Sequence, residues 1–420
     1  MRAGSVAAVV VGTRPEAVKL APVVVALRAQ GLIIPVVVAT GQQRDAVDEV
    51  LDVFGLATGT ELAPVGQGRS VTELTSHLLH ELDGALEGIR PDLVVVQGDT
   101  ASVLAGALAG FLRGVPVAHV EAGLRTGDLA APFPEEGNRR MVSQIAALHL
   151  APTTGAVTNL RAAGVPDNRI VLTGNTVVDA LQAARAATCK GAVPPQGGSH
   201  SGGAPRVLVT AHRRESWGEP IAQVGRAVAR LADRHPDWEF VVACHMNPAV
   251  RATLDAVIPR RDNVTLGGPV GYAAFVRMLA DAAVVLTDSG GIQEEAPVLG
   301  VPVLVTREIT ERPEAVACGA AQLVGTDPQA IVAAVEALLG GGSAHRPAVP
   351  HSPFGDGRAG ERSAAACAWL LGLGPRPHDM PAPAALLHQN VPVTGLLRVP
   401  RQSAGDPADA FRTATGPTPS

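Results

Sequence analysis

Short valine-rich runs alternate with alanine- and leucine-rich segments along most of this chain, and this rhythm restricts the possible fold more than any other feature. A continuous apolar run bounded by turn residues is typical of a strand buried on both faces, as in a parallel sheet covered by helices. The sequence therefore predicts an α/β fold. In the first part of the chain, the predicted strands are 6–11, 33–39, 93–96 and 115–120, and the predicted helices lie near 17–29, 44–54 and 101–112.

The rhythm starts again after a low-complexity segment. Residues 190–205, KGAVPPQGGSHSGGAP, cannot build a core, and we interpret them as a disordered insertion. A second α/β unit in tandem predicts two Rossmann-like domains that face a cleft. Its predicted strands are 207–210, 240–244, 284–287 and 301–305, and its predicted helices lie near 219–235, 273–280, 292–299 and 328–339. A further helix is predicted near 177–187, before the low-complexity segment.

The length of 420 residues exceeds what one hydrophobic core usually organises, which supports two domains. We place the N-terminal Rossmann-like domain at 1–175 and the C-terminal one at 176–359, with a helix near 360–373 that packs back on the first domain. Residues 374–420 are rich in Pro and Ala without periodicity, and we predict a disordered tail that is catalytically silent.

Charge and cysteine content exclude several classes of function. A net charge of -5 offers no basic footprint for nucleic acid, so local positive groups must hold any anionic ligand. No apolar stretch is long enough to cross a membrane, and the N-terminal apolar run ends in a turn as a first strand would. The cysteines are scattered without metal or disulfide spacing. We therefore expect a cytoplasmic protein without a bound metal.

A dense group of charged residues follows one predicted strand, in a chain that is only 17% charged. The stretch HVEAGLRTGDLAAPFPEEGNR, residues 119–139, contains Glu121, Glu135 and Arg139. Asp99 ends another apolar run. Carboxylates at the ends of parallel strands lie where an open α/β sheet binds its ligands. Some of these charges only join loops, but Asp99, Glu121 and Glu135 together predict acid–base chemistry.

Two turns between a predicted strand and a predicted helix could hold phosphate groups. GTRPE at 12–16 places Arg14 before a helix start and Lys19 one turn inside, although it is not a dinucleotide motif. DSGGIQEE at 288–295 brings backbone N–H groups to a helix start and places Glu295 where it could accept ribose hydroxyls. The simpler interpretations are an arginine that pairs with a nearby acid and a glycine-rich turn. Position at strand ends favours a nucleotide-diphosphate site.

His212 follows the first strand of the second unit, beside two arginines and an acid. The cations lower its pKa and the acid raises it, so the sequence leaves its protonation state open. His245, after another strand, is a weaker candidate. Carboxylates, a histidine and a diphosphate cradle together suggest acid–base chemistry on a nucleotide sugar.

Ten sequence blocks run in order from 12 to 316: GTRPEAVK, TGQQRD, QGDT, HVEAGLRTGD, PFPEEGNR, GNTVVDAL, AHRRESWGEP, HMNP, DSGGIQEEAP and TERPEAV. Together they resemble the non-hydrolysing UDP-N-acetylglucosamine 2-epimerases. The resemblance implies a GT-B-like fold with the active site between the domains, and interconversion of UDP-GlcNAc and UDP-ManNAc without metal or nicotinamide. It also implies anti elimination of UDP to 2-acetamidoglucal, followed by re-addition with the proton delivered to the other face.

The resemblance assigns expected roles to individual positions. The expected catalytic residues are Asp99, Glu121, Glu135 and His212. The expected substrate-binding residues are Arg14, Lys19, Arg139, Phe275, Ser289, Gly290, Gly291 and Glu295. Some members of the family bind a second UDP-GlcNAc as an activator, and the matching positions are Gln42, Arg213 and His245. A homodimer is also implied.

The chain departs from the family at Gln43, where the usual residue is His, and this change removes a titratable group. An epimerase acting on another UDP-2-acetamido sugar, such as a diacetamido uronic acid, therefore stays open. A GT-B glycosyltransferase shares the fold and the cradle, but would need an acceptor and fits the acids less well. A catalytically dead UDP-sugar-binding regulator is disfavoured by the intact acids and His212.

Overall fold

The computed structural model describes residues 4–66, 68–130, 132–188, 204–211, 217–244, 248–268, 270–340 and 352–381. Within these ranges the strands form a seven-stranded sheet and a six-stranded sheet. Helices flank both sheets, so the predicted α/β class with two Rossmann-like units is confirmed.

The first sheet has the strand order β3-β2-β1-β4-β5-β6-β7, with parallel pairing throughout. Chain order reverses between β1 and β4, which is the switch point where open α/β sheets form their ligand crevice. Its strands are β1 (Ser5–Val11), β2 (Ile33–Ala39), β3 (Thr60–Glu61), β4 (Leu93–Gln97), β5 (Val117–Val120), β6 (Leu148–Ala151) and β7 (Ile170–Leu172). The associated helices are α1 (Arg14–Gln30), α2 (Arg44–Val53), α3 (Val71–Ile89), α4 (Ala101–Leu112), α5 (Glu135–Ile145) and α6 (Thr154–Ala162).

The second sheet has the order β10-β9-β8-β11-β12-β13 and is also parallel. Its switch point lies between β8 and β11. The strands are β8 (Arg206–Ala211), β9 (Glu239–Cys244), β10 (Val264–Gly267), β11 (Val284–Thr287), β12 (Val303–Val305) and β13 (Ala321–Leu323). The remaining helices are α7 (Thr176–Thr188), α8 (Glu219–Arg234), α9 (Pro248–Val257), α10 (Tyr272–Asp281), α11 (Gly290–Val298), α12 (Pro313–Ala317), α13 (Pro328–Leu339) and α14 (Ala359–Leu370).

Several predicted elements agree with the structure residue by residue: strands 33–39 and 284–287, and helices 101–112 and 328–339. The longest helix that the sequence rhythm missed is α3. Its start carries a capping box, in which the Glu73 N–H donates to Ser70 Oγ (3.2 Å) and the Ser70 N–H donates to Glu73 Oε2 (2.8 Å). This Ser-x-x-Glu signal could have predicted the helix.

Two helices outside the strand–helix rhythm join the units. α7 packs against α1 of the first unit and against α10 and α11 of the second. α14 packs against α1 and α7. Asp179 on α7 accepts hydrogen bonds from the N–H groups of Gly360 (2.8 Å) and Ala359 (3.2 Å), and so satisfies the first turn of α14.

The prediction of a disordered segment at 374–420 was wrong for its first residues. Residues 374–381 lie along β7, where the Met380 N–H donates to Leu172 O (2.7 Å). The prediction for 190–205 also fails at its end, because Pro205 O accepts from the Glu239 N–H (2.9 Å). Both errors have one cause, since backbone groups at strand edges bind hydrogen-bond partners whatever the composition of the segment.

Residues 190–203 and 382–420 lie outside the described ranges. A search of the described helices finds none that could span a membrane.

The Asp179 cap makes stability depend on pH in a defined direction. Burial raises the pKa of Asp179 from 3.8 to about 6. Because the folded pKa lies above the unfolded one, its contribution to stability is full below pH 3.8 and is lost as pH rises through 6. The free energy of unfolding of Asp179→Asn, taken relative to that of the parent, should therefore rise by on the order of 2 kcal/mol as the pH goes from 4 to 7. Denaturant unfolding at each pH measures this difference.

Asp356→Asn serves as the control with the opposite sign. The hydrogen bonds from Arg362 lower the pKa of Asp356, so this variant should lose stability relative to the parent as pH rises. Parallel stability–pH curves for the parent and Asp179→Asn would contradict the assignment.

Candidate active site

The switch points of the two sheets bring their charged loops together. Glu121 follows β5, Lys19 lies on α1, and Glu294 lies on α11 after the second switch point. Lys19 forms ion pairs with Glu121 and with Glu294 (3.5 Å). Arg312, before α12, reaches Glu121 (3.7 Å) and Glu294 (2.9 Å). The site is therefore a buried charge cluster shared by both units.

Glu121 occupies the centre of this cluster with an unusual backbone. Its φ of +61° lies in the left-handed region, which costs free energy for a residue with a Cβ and is found mostly at functional sites. Its carboxylate accepts hydrogen bonds from the Lys19 ammonium, the Gln97 amide and the Asn175 amide, the last at 3.0 Å. The surrounding donors therefore fix both oxygens of a side chain that is only 7% exposed.

The cations decide the protonation state of Glu121. Burial alone would raise its pKa, but Lys19 and Arg312 outweigh this and the net shift is downward. Burial alone would likewise lower the pKa of Lys19, and the Glu121 and Glu294 carboxylates raise it. Glu121 is thus held as a carboxylate in a buried site, poised to accept a proton if a cation moves to another partner.

Asp99 forms a second ion pair beside this cluster. Its Oδ2 lies 2.5 Å from Arg139 Nη2, and its backbone carbonyl accepts from the Asn138 side chain (2.8 Å). Burial would raise the pKa of Asp99, but Arg139 lowers it below its ordinary value. Both partners lie on α5, so that helix sets the position of Asp99.

The adjacent acids Glu135 and Glu136 have different environments. Glu135 is the first residue of α5 and is half-buried. Glu136 is fully buried and accepts from the Thr126 N–H (3.1 Å) and from Arg139 (3.3 Å) and Arg140 (3.1 Å). Glu136 therefore joins the loop after Glu121 to α5, and Glu135 is the acid of this pair that retains exposure.

Arg14 links the first loop to the second unit. Its guanidinium donates to Val270 O (2.8 Å), immediately before α10, and its N–H donates to Gln43 Oε1 (3.1 Å). Gln43, the residue at which the chain departs from the family, therefore holds the loop that carries Arg14. Gln42, beside it, accepts from the Ser102 hydroxyl (3.0 Å) and so contacts the start of α4.

The start of α11 has the geometry of an anion cradle. Ser289 is the N-cap, and its N–H donates to Thr287 Oγ1 (2.9 Å). A Cβ on Gly290 would lie 2.7 Å from Arg312 Nη1, so only glycine lets the guanidinium lie this close to the helix start. Gly291 has open space at the Cβ position, its nearest atom being Ser289 Oγ at 3.9 Å. Helix dipole and guanidinium together favour a negative ligand here.

Glu295 lies one turn into α11 and differs from Glu121. It is buried, and burial raises its pKa to about 7. Tyr272 and Phe275 on α10 are also buried, and the Tyr272 hydroxyl has no hydrogen-bond partner among the described residues. Burial and the charge of Glu295 raise the pKa of Tyr272, so the two groups are electrostatically coupled near the cradle.

Sequence reasoning missed three buried charged residues of the site: Glu16, Glu294 and Arg312. Glu16 accepts from the Gly12 N–H (2.7 Å), the Thr13 hydroxyl (2.9 Å) and the Thr100 hydroxyl (2.7 Å), and burial raises its pKa to about 7. It therefore ties the Arg14 loop to the residue after Asp99. Glu16, Glu294 and Arg312 lie within the sequence blocks GTRPEAVK, DSGGIQEEAP and TERPEAV, respectively, so the sequence did carry a signal for them.

The remaining predicted site residues, His212, Arg213 and His245, lie outside the described ranges, and their roles stay predictions. Within the described ranges, no group of three or more His, Cys, Asp or Glu side chains is arranged to hold a metal ion.

Comparison with known proteins places this geometry in a family. Residues 25–368 match the family profile described as UDP-N-acetylglucosamine 2-epimerase. A probable UDP-N-acetylglucosamine 2-epimerase from Ralstonia nicotianae is 44% identical over 364 residues, covering 84% of this chain and 96% of the relative. The UDP-N-acetylglucosamine 2-epimerase of Escherichia coli K12 is 42% identical over 359 residues, covering 84% and 96%.

Solved structures agree with these sequence matches. The Neisseria meningitidis UDP-GlcNAc 2-epimerase bound to UDP-GlcNAc superposes with a TM-score of 0.80 at 38% identity, covering 88% of this chain and 100% of that one. The S. aureus MnaA–UDP structure gives a TM-score of 0.82 at 36% identity, covering 90% and 100%. The family profile, these relatives and the shared GT-B-like fold of two Rossmann-like units show that the chain belongs to the UDP-N-acetylglucosamine 2-epimerase family.

Proposed function

We propose that this protein interconverts UDP-GlcNAc and UDP-ManNAc without hydrolysing either. The observation that carries the proposal is the buried carboxylate of Glu121, held ionised by Lys19 and Arg312 beside the anion cradle of α11. The UDP-GlcNAc named for the Neisseria meningitidis structure supports a UDP-sugar as the substrate.

The first step is elimination across the C1–C2 bond of the sugar. An enzyme carboxylate takes the C2 proton, the C2–H electrons form the C1=C2 double bond, and the C1–O bond breaks with its electrons on UDP. The products are 2-acetamidoglucal and UDP, so no oxidant or reductant is needed. Glu121 and Asp99 are the candidate bases, because nearby cations lower the pKa of both below the ordinary carboxyl range.

The departing diphosphate gains negative charge and needs positive groups beside it, whereas the sugar does not. The N-terminus of α11, at Ser289–Gly291, offers backbone N–H groups, Lys19 and Arg312 pair with Glu294 on the same helix, and Arg14 contacts the backbone before α10. Developing charge on UDP would draw Lys19 and Arg312 toward the phosphate. Glu121 would then lose part of its ionic stabilisation and become a stronger base as the C1–O bond weakens.

Re-addition from the other face needs a second proton donor. UDP adds back to C1 and a carboxylic acid protonates C2 from the opposite side. Glu135 is the acid of α5 that keeps exposure, and Asp99 is fixed by the same helix, so the chain carries acids on more than one element of the site. We assign the catalytic role to Asp99, Glu121, Glu135 and His212 as a group.

The proposal extends to binding and assembly. We propose a division into an N-terminal unit at 1–175 and a UDP-binding unit at 176–359, and the two separate sheets support it. Glu295 on α11 and Phe275 on α10 would contact the nucleoside, and Tyr272, on the same helix as Phe275, lies close enough to Glu295 for its charge to raise the pKa of the hydroxyl. A second UDP-GlcNAc would bind as an activator near Gln42, Arg213 and His245. A homodimer is the proposed assembly.

Removing either ionised acid should stop epimerisation while UDP binding survives. Asp99→Asn and Glu121→Gln keep the shape of the side chain but remove the base, so the epimerisation rate should fall by a factor of about 1,000 or more. The conversion of UDP-GlcNAc to UDP-ManNAc by chromatography, with UDP binding by calorimetry, measures this. Asp83→Asn, an exposed acid on α3, is the matched control with parental activity. Near-parental turnover in both variants would exclude these residues from the chemistry.

Removing a cation beside Glu121 should shift the pH dependence. Because Lys19 and Arg312 lower the pKa of Glu121, the acidic limb of the kcat/KM profile should move to higher pH in Lys19→Gln. Arg44→Gln, which removes an exposed pair with Glu61, should leave that limb in place. An unshifted or downward-shifted limb in Lys19→Gln would show that Glu121 is not the group that titrates.

A further inference from the structure

The outer edge of β7 is covered by a segment that follows α14. β7 is the last strand of the seven-stranded sheet among the described strands, and an edge strand leaves backbone groups without a ladder partner. Residues 376–380, named the clamp segment here, lie along this edge.

The clamp segment satisfies the outward-facing groups of β7 one by one. The Leu172 N–H donates to Asp379 Oδ1 (3.0 Å), and Leu172 O accepts from the Met380 N–H (2.7 Å). Ile170 O accepts from Arg376 Nη2 (3.0 Å). A side-chain carboxylate and a guanidinium thus replace part of a missing neighbouring strand.

Internal contacts hold the clamp segment in this position. Arg376 pairs with Asp379 (3.0 Å), and its guanidinium carbon lies 5.9 Å from the centre of the Trp369 ring at the end of α14. Met380 is only 6% exposed. The segment is therefore packed against the first unit at both of its ends.

Met380 contacts the turn that leads to the active site. Gly174 has φ +84°, and a Cβ placed there would lie 2.8 Å from Met380 Sδ. Phe354 O lies 3.4 Å from the same Cβ position and accepts from the Asn175 N–H (2.6 Å). Met380 and Phe354 thus confine the Gly174–Asn175 turn.

Asn175 connects the confined turn to Glu121 by a hydrogen bond. Its side-chain amide donates to Glu121 Oε1 (3.0 Å), and its Oδ1 accepts from the Val177 N–H at the start of α7 (3.0 Å). Asn175 is 2% exposed, so its amide has little room for another position. A shift of the turn would move the amide away from the carboxylate.

We propose that the clamp segment positions Asn175 and, through it, the Glu121 carboxylate for proton transfer. Asp379 and Met380 are then positioning residues that act without touching substrate. The inference rests on the proposed function for its catalytic consequence, whereas the positioning of Asn175 is a separate physical statement. The competing explanation is an edge cover that adds stability alone.

Two truncations with matched ends test the proposal. A chain that ends at Pro381 keeps the clamp segment and should have parental activity. A chain that ends at Pro375 loses it, and its kcat should fall about 10- to 100-fold, because small displacements of a catalytic group are costly. Its KM for UDP-GlcNAc should stay within about twofold, because the cradle on α11 is untouched.

Point variants separate positioning from folding. Met380→Ala opens space beside Gly174 and should lower kcat about tenfold, whereas Met380→Leu conserves volume and should restore most of it. The chain that ends at Pro381 provides the reference. Unchanged kcat in both Met380→Ala and the chain ending at Pro375, even with a lower melting temperature, would overturn the positioning role and leave an edge cover.

Amide hydrogen exchange of the 170–178 peptide gives a readout that needs no activity. Faster exchange in Met380→Ala than in Met380→Leu supports positioning of Asn175, and equal exchange overturns it. If the parent does not epimerise UDP-GlcNAc, the proposed function fails, and the exchange result still decides whether the clamp segment holds the turn.

Discussion

The pairing of the Glu121 carboxylate with Lys19 and Arg312 is the interaction on which the site depends. Burying these charges is costly, and the desolvation penalty is offset only when partners and hydrogen bonds are well placed. Here Gln97 and Asn175 complete the shell around Glu121, and Glu294 connects both cations to the second sheet. One cluster therefore joins the two units, orients a carboxylate and places cations at the helix start that would receive a diphosphate.

The acids of the site fall into two classes. Glu121 and Asp99 have cation partners that lower their pKa values, so each stays ionised. Burial raises the pKa values of Glu16 and Glu295 to about 7, because hydrogen bonds or more distant charges offset it less. Environments that separate carboxyl pKa values are how one site can hold both a base and an acid at the same pH. In the proposed reaction the ionised pair, Glu121 and Asp99, supplies the candidate bases, whereas Glu16 ties the Arg14 loop to Thr100 and Glu295 lies in the helix of the cradle.

The sequence predicted the strand–helix rhythm well because apolar periodicity is local, as at 33–39 and 101–112. It also placed Asp99, Glu121 and Arg14 at strand ends, where a parallel sheet collects its functional groups. It could not show the Lys19–Glu121 pair, because the two residues are 102 positions apart in the sequence. Nor could it distinguish Glu136, which pairs with Arg139 and Arg140, from its neighbour Glu135. Composition misassigned residues 374–381, because Arg376 and Asp379 bind backbone at a sheet edge and need no apolar pattern.

Proton NMR of the protein with UDP-GlcNAc in D2O tests the central claim most directly. If an enzyme carboxylate removes the C2 proton, UDP-ManNAc will form with deuterium at C2, and the C2 proton signal of the remaining UDP-GlcNAc will decline. If neither exchange nor a new sugar is seen, with this or other UDP-2-acetamido sugars, the acid–base account of the Glu121 cluster is contradicted.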